Sequence, residues 1–511
     1  MERRDFLAGA AAAVVAAPAL NARAAGAEPT VRTQQGMLEG FEEDGVCKFL
    51  GVPFAQPPVG ALRWTAPQPA ANWSGVRPAK TFGPAAMQPA ITPSYRTSGM
   101  SEDCLYLNVW TTSLSRSARQ PVMVWIYGGG NLGGAASQAY TDGSNLAKRG
   151  VTVVAANYRL GAFGFLNDPV LGANFGALDQ IAALRWVQEN IEMFGGDPSC
   201  VMVFGQSAGA VNVRTLLQSP LADGLFHRAA IQSAGGENPA ATGYSDSARS
   251  RAGTQKLFET LGTTDIAALR AIPAERVQAA AWPLSGANIV GPRTPFDLVW
   301  MPVPDGKVII DDRFLAWRRN IPVMFSACQN EAREFLHVDQ TYTTENVEAY
   351  ARKLTGPKAN EVMAILDAEG GSPLQKLDYL FTDIVWWESQ YASLQRFSRE
   401  GRRVYDWRFA RVAPGAAKNN RLAFHSADVY YIFGNLIDLE YDETDRRISR
   451  ELQGVFVEFA RTGVPRGSDG VAWPPFTPSA PKATVVADTV SFGPYPIDPI
   501  TRVMYALRAQ G

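Results

Sequence analysis

Short, continuously apolar runs rich in β-branched residues recur along the chain: PVMVWIY (121–127), VTVVAA (151–156), CVMVFG (200–205), IPVMFS (321–326) and VYDWRF (404–409). Runs of this length with little polar alternation suit strands buried on both faces. The period changes in GALDQIAALRWVQENIEMFGGDP, where Leu178, Ile181, Ala182, Leu184, Val187 and Ile191 form one stripe and Gly195-Gly196 ends it. That pattern is an amphipathic helix with a glycine stop. Strands alternating with helices predict an α/β fold with a large, mostly parallel central sheet and helices on both faces. Residues 238–320 and 338–400 read as helical insertions that wall a site. No repeat, heptad run or Pro/Gly/Ser-rich linker interrupts residues 25–511, so a single domain is expected there, although the length of 511 residues alone would suggest more.

The first residues, MERRDFLAGAAAAVVAAPALNARAAGAEP, carry the pair Arg3-Arg4 and then an uncharged small and apolar run of 13 residues, Ala8 to Leu20. The run is shorter than the roughly 20 residues of a membrane-spanning helix. It reads as a twin-arginine export signal over residues 1–24, cleaved after Ala22-Arg23-Ala24, rather than a retained anchor. The expected location is therefore the periplasm or outside the cell, with no membrane span in the mature chain. Export in folded form from a reducing compartment would make disulfides dispensable. The whole chain has 48 basic and 49 acidic residues, and removing residues 1–24 leaves 45 and 47. This balance offers no basic face for nucleic acid or an anionic membrane.

Candidate chemistry centres on Gly205-Gln206-Ser207-Ala208-Gly209, which follows the run CVMVF and precedes AGAVNVRTLLQ. A strand, a sharp turn and a helix are the setting in which a serine is held strained and exposed, with the helix N-terminus favouring negative charge beside it. The same string elsewhere would be an ordinary turn. Tyr127-Gly128-Gly129-Gly130-Asn131 ends another strand, and its backbone can point N–H groups into a cavity, whereas a plain surface turn is the alternative. Gly129, Gly130 and Ala208 are the expected oxyanion donors. Of the three histidines, His227 lies too soon after Ser207 and His337 too soon after the candidate acid for the chain order Ser, acid, His. His425 remains as the base. Glu331 sits just past the strand IPVMFS, where sites of α/β sheets form, but a solvated loop glutamate is an equal reading, and Asp383 and Asp428 are the next candidates.

The stretches FLGVPFAQPPVGALRW (49–64), SEDCLYLNVW (101–110), WIYGGGN (125–131), NYRLGAFGF (157–165), ALDQIAALRWVQENIEMFGGDP (177–198), GQSAGA (205–210) and AFHSAD (423–428) together resemble the type-B carboxylesterase family, which includes the cholinesterases. The resemblance covers nearly all of residues 25–511. It implies an α/β-hydrolase fold and a serine carboxylesterase acting on small-molecule esters through an acyl-serine, without cofactor or metal. Carried over, Ser207 is the nucleophile, Glu331 the acid, His425 the base, and Gly129, Gly130 and Ala208 the oxyanion hole.

The departures from that family are specific. Cys104 stands where relatives often have a disulfide cysteine, yet FGPAAMQ (82–88) lacks its partner and LGTTDIAALR (261–270) lacks the later pair. Cys47, Cys104, Cys200 and Cys328 are therefore expected as free thiols, or with an unusual link between Cys47 and Cys104. Gln206 replaces the glutamate of cholinesterases, and no tryptophan lies in 83–101, which argues against a quaternary ammonium substrate. Trp386 and Trp387 either line an acyl pocket or fill the core. The same machinery could serve an amide or carbamate hydrolase. A catalytically silent binding domain would be expected to have lost part of the Ser207, Glu331, His425 set.

Overall fold

The computed structural model describes residues 28–90, 95–97, 99–234, 247–287, 297–310, 320–336 and 339–508. The N-terminal export pattern and His337 lie outside these described residues. Each of the five apolar runs forms a strand. Three strands near the N-terminus, β1 (Thr30–Arg32), β2 (Met37–Glu39) and β5 (Val76–Pro78), make a small separate sheet. The other eleven are β3 (Phe41–Glu43), β4 (Val46–Pro53), β6 (Tyr106–Thr111), β7 (Gln120–Ile126), β8 (Thr152–Ala156), β9 (Gly196–Gln206), β10 (Arg228–Gln232), β11 (Val323–Cys328), β12 (Val404–Phe409), β13 (Lys482–Val486) and β14 (Val490–Pro494). They form one sheet in the order β14-β13-β12-β11-β10-β9-β7-β8-β6-β4-β3.

The sheet is parallel from β8 through β13 and antiparallel at both margins. Composition follows position. β8 and β11 are buried at every residue, whereas β14, at the edge, is exposed or half-buried throughout. Central parallel strands are covered on both faces and so lack polar alternation. The predicted helix spans Phe175–Asn190, continues as a 3-10 turn to Phe194, and is closed by Gly195 at φ 74°. Among the described residues no helix is long and apolar enough to cross a membrane.

The helical insertions are present in the described segments. Ser247–Leu261, Ile266–Ala271 and Ala274–Ala281 are helices of the first. The second comprises Thr344–Thr355, Ala359–Glu369 and Pro373–Phe381, a π-helical turn at Thr382–Trp387, and Glu388–Arg399. Leu336, Val347, Val362, Leu377, Trp387 and Ile500 belong to a second apolar cluster, so this insertion carries its own core beside the main one.

β9 ends at Gln206 and the next residue but one already begins the helix Ala208–Gln218, all of whose residues are buried against β9 and β10. That return is possible because Gly209 has no side chain: a Cβ there would stand 2.1 Å from the Ile126 carbonyl oxygen and 2.7 Å from that of Tyr127. Both obstacles are backbone, so neither can yield without moving β7. Gly209→Ala is expected to lose about 3 kcal/mol or more of stability through overpacking. Gly454→Ala, on the helix Glu443–Thr462 where a Cβ meets only Arg149 at 3.9 Å, is expected to be neutral or to gain up to ~1 kcal/mol. Urea unfolding of the two variants beside the parent chain checks the contrast, and equal stabilities would refute it.

Candidate active site

The sequence GQSAG forms the expected strand, turn and helix. Ser207 occupies φ 58°, ψ −129°, a region that L-residues rarely adopt. Its N–H donates to the Gln232 carbonyl at 2.9 Å, which pins the turn to the end of β10. The neighbouring turn is built from Gly128 to Gly134. Gly129 adopts φ 104°, and a Cβ there would meet the Gly133 carbonyl oxygen at 2.2 Å, so this position requires glycine.

Three clamps hold that glycine turn. The Gly134 N–H donates to Gln88 Oε1 and Gln88 Nε2 donates to the Gly134 carbonyl, both at 3.0 Å. Asn131 is buried and accepts from Asn212 Nδ2 at 2.9 Å. The Tyr158 hydroxyl donates to the Tyr127 carbonyl at 2.7 Å. Behind Tyr158, Arg159 makes a two-point ion pair with Asp179 at 2.7 and 2.8 Å, both side chains buried. Among the described residues, the backbone N–H groups of Gly129, Gly130 and Ala208 have no hydrogen-bond acceptor. All three residues line the same cavity as Ser207.

His425 follows β12 by a loop and reaches the same cavity. Its Nδ1 lies 2.5 Å from Glu331 Oε2, and since a carboxylate only accepts, Nδ1 carries the proton and donates it. Glu331 opens a 3-10 turn directly after β11, is completely buried, and accepts the Cys328 N–H on Oε1 at 2.6 Å. This overrides the reading of Glu331 as a solvated loop residue. The two other candidate acids do not meet the imidazole in that way. Asp428 accepts from Gln232 Nε2 at 3.0 Å and stands 3.8 Å from the Cys328 sulfur. Burial, opposed by the Gln232 hydrogen bond and reinforced by the Glu331 charge, pushes its carboxyl up to about 6. Asp383 is buried on the π-helical turn and accepts from the Thr501 hydroxyl at 2.8 Å. His227 serves the backbone, accepting the Val201 N–H on Nδ1 at 3.2 Å.

The cavity has a volume of about 560 Å³. Phe335 and Trp386 stack on each other with centroids 5.6 Å apart and flank the His425 ring at 5.0 and 5.5 Å. Trp386 lines the cavity and donates through Nε1 to the Ser233 carbonyl at 3.1 Å. Trp387 turns away, donates to the Cys328 carbonyl at 3.1 Å, and carries the Arg408 guanidinium 3.6 Å from its ring centroid. The pair thus divides between lining and core. Glu334 is the one acidic residue that lines the cavity among the described residues, and its carboxylate is paired with Arg421; no lysine or arginine lines it.

Of the six residues singled out in the sequence, Ser207, His425, Gly129, Gly130 and Ala208 line one cavity, and Glu331 is buried behind the His425 ring. Sequence reasoning missed Phe335, Gln88 and the contact that Gln206 makes with His425. Phe335, four residues after Glu331, is a recognisable aromatic beside a candidate acid, whereas Gln88 leaves no signal because its role depends on a turn 46 residues away. All four cysteines are free, with Cys47, Cys104 and Cys328 buried and Cys200 half-buried, so the link between Cys47 and Cys104 does not form.

The model of the carboxylesterase family matches residues 27–491. Fumonisin B1 esterase of Sphingopyxis macrogoltabida is 35% identical over 468 residues, covering 87% of this chain and 84% of that protein. Para-nitrobenzyl esterase of Bacillus subtilis is 36% identical over 468 residues, covering 87% of this chain and 92% of the other. Among solved structures, a carboxylesterase of Geobacillus stearothermophilus superposes with a TM-score of 0.82 at 31% identity, covering 93% of this chain and 99% of that one. With its α/β fold and its serine elbow at the end of β9, the chain belongs to the carboxylesterase family and is a carboxylic ester hydrolase.

Proposed function

We propose that this hydrolase cleaves uncharged esters with a bulky apolar acyl group through an acyl-serine intermediate. The observation that carries the reading is the hydrogen bond from His425 Nδ1 to the buried Glu331, at the wall of the cavity that Ser207 also lines. Ser207 Oγ attacks the ester carbonyl carbon while its proton passes to His425 Nε2. The carbonyl oxygen becomes an oxyanion held by the N–H groups of Gly129, Gly130 and Ala208. His425 then protonates the departing alkoxide, and water repeats the sequence to release the acid and restore Ser207. Glu331 fixes the tautomer and stabilises the imidazolium.

The preference for an uncharged, bulky acyl group rests on the lining. Phe335, Trp386, Leu298 and Trp282 offer apolar surface, and a charged substrate would meet no free counter-charge among the described residues. Export by the twin-arginine pattern of residues 1–24 completes the proposal. If cleavage follows Ala24, N-terminal sequencing of the protein recovered from its native host should begin at Ala25, and an intact Met1 would rule the cleavage out.

Hydrolysis of a p-nitrophenyl series from acetate to octanoate tests the chemistry. Ser207→Ala is expected to lower kcat roughly 10⁴-fold or more, and Glu331→Gln roughly 10³-fold to 10⁴-fold with little change in KM. Undiminished turnover in either variant would overturn the assignment. Trp386→Ala should raise the octanoate-to-acetate ratio of kcat/KM by roughly tenfold, since one or two methylenes are worth that much in an apolar pocket. Trp387→Ala should leave the ratio unchanged and lower stability by about 3 kcal/mol. The same shift of ratio in both variants would contradict the division of roles.

A further inference from the structure

The catalytic nitrogen of His425 is already occupied. Gln206 Nε2 stands 3.0 Å from His425 Nε2. Because Nδ1 donates to Glu331, Nε2 of the neutral ring is a lone pair, so the Gln206 amide is the donor and the imidazole the acceptor. Ser207, the adjacent residue, makes no side-chain hydrogen bond among the described residues. Gln206 and His425 are each about 5% exposed, so water does not compete strongly for this contact.

We propose that Gln206 is a positioning residue for ester hydrolysis: its carboxamide holds the His425 ring by Nε2 in the substrate-free site and yields that acceptor to Ser207 when an ester enters. The proposal rests on the reading of Ser207 as nucleophile and His425 as base. In the acylation step the Gln206 N–H leaves Nε2, the Ser207 proton takes its place, and the serine oxygen bonds to the acyl carbon as its O–H bond breaks. A glutamate at this position can only accept, and would favour the imidazolium in the resting site.

The other groups facing His425 are accounted for. Glu331 lies on the opposite nitrogen. Asp428, from the helix Ala427–Phe433, is buried with Gln232 as its donor, and burial pushes its carboxyl up to about 6. Glu334 is paired with Arg421, and the Cys328 thiol, raised well above its ordinary range by burial, faces Asp428. Phe335 and Trp386 present uncharged rings. Residue 206 is thus the one side chain hydrogen-bonded to Nε2 among the described residues.

The test compares Gln206→Met and Gln206→Glu with the parent chain, using p-nitrophenyl butyrate hydrolysis across pH and the rate of inactivation by phenylmethylsulfonyl fluoride. Methionine keeps the bulk without a hydrogen bond, so both kcat/KM and the inactivation rate should rise about fivefold, the equivalent of one neutral hydrogen bond of ~1 kcal/mol released from the resting state. Glutamate should move the acid limb of kcat/KM to higher pH by about one unit or more, with activity recovered on raising pH. A merely structural role would leave the limb in place. Unchanged or lower rates in a folded Gln206→Met, or an unmoved limb in Gln206→Glu, overturn the proposal. Ser207→Ala is run alongside: if it abolishes turnover while the residue 206 variants behave like the parent, this inference alone falls, whereas full turnover in Ser207→Ala removes the reading beneath it.

Discussion

Everything at the site depends on how closely the chain can double back at the end of β9. The register pairs Ile126 of β7 with Gly205 of β9, so the two strands stop at the same level of the sheet. The glycine turn and the serine elbow therefore leave the sheet side by side. Gly209 lets the helix Ala208–Gln218 lie directly on the carbonyls of Ile126 and Tyr127. A larger residue would push the helix outward and carry the Ala208 N–H away from those of Gly129 and Gly130. The strained backbone of Ser207 is the local consequence, tolerated because β9, β10 and a fully buried helix determine the positions on either side.

The same carboxyl end of the sheet carries the acid and the imidazole. Glu331 follows β11 and His425 follows β12, and the pairing of Cys328 with Phe409 brings the ends of those two strands together. Ligand sites of open α/β sheets form beyond the carboxyl ends of parallel strands for this reason: consecutive loops emerge there as neighbours although they are far apart in sequence. Burying Glu331 would be unfavourable without the Cys328 N–H and the imidazole to hold it. Asp428 sits nearby with a carboxyl displaced upward by the same low-dielectric surroundings. One acid is thus engaged with the imidazole while the other is held above the ordinary carboxylate range by burial.

Much of the cavity wall is left to the insertions. The π-helical turn at Thr382–Trp387 presents Trp386 to the cavity and Trp387 to the strand end, because adjacent residues on a helix leave its axis in different directions. A turn of this kind inside a longer helical segment often accompanies a functional site. It packs in the second apolar cluster, so this part of the cavity wall can vary without disturbing the central sheet.

Much of this architecture was present in local pattern. The apolar runs name the central strands because a strand buried on both faces has no polar alternation to hide it, and the serine elbow announces itself because its backbone tolerates so few residues. The order of the strands across the sheet and the pairing of β7 with β9 could not be read in that way, since both are settled by contacts between distant segments. Glu331 illustrates the boundary. As a residue in ACQNEA it was equally a solvated loop acid, and burial to zero exposure beneath β11 made it the partner of His425. Trp386 and Trp387 are identical in type and adjacent in sequence, and only their placement on a π turn separated lining from core. Gln206 appeared in the sequence merely as a departure from a family glutamate; tertiary structure set its amide against His425 Nε2, because a hydrogen bond between residues 219 positions apart exists only once the strands that carry them have met.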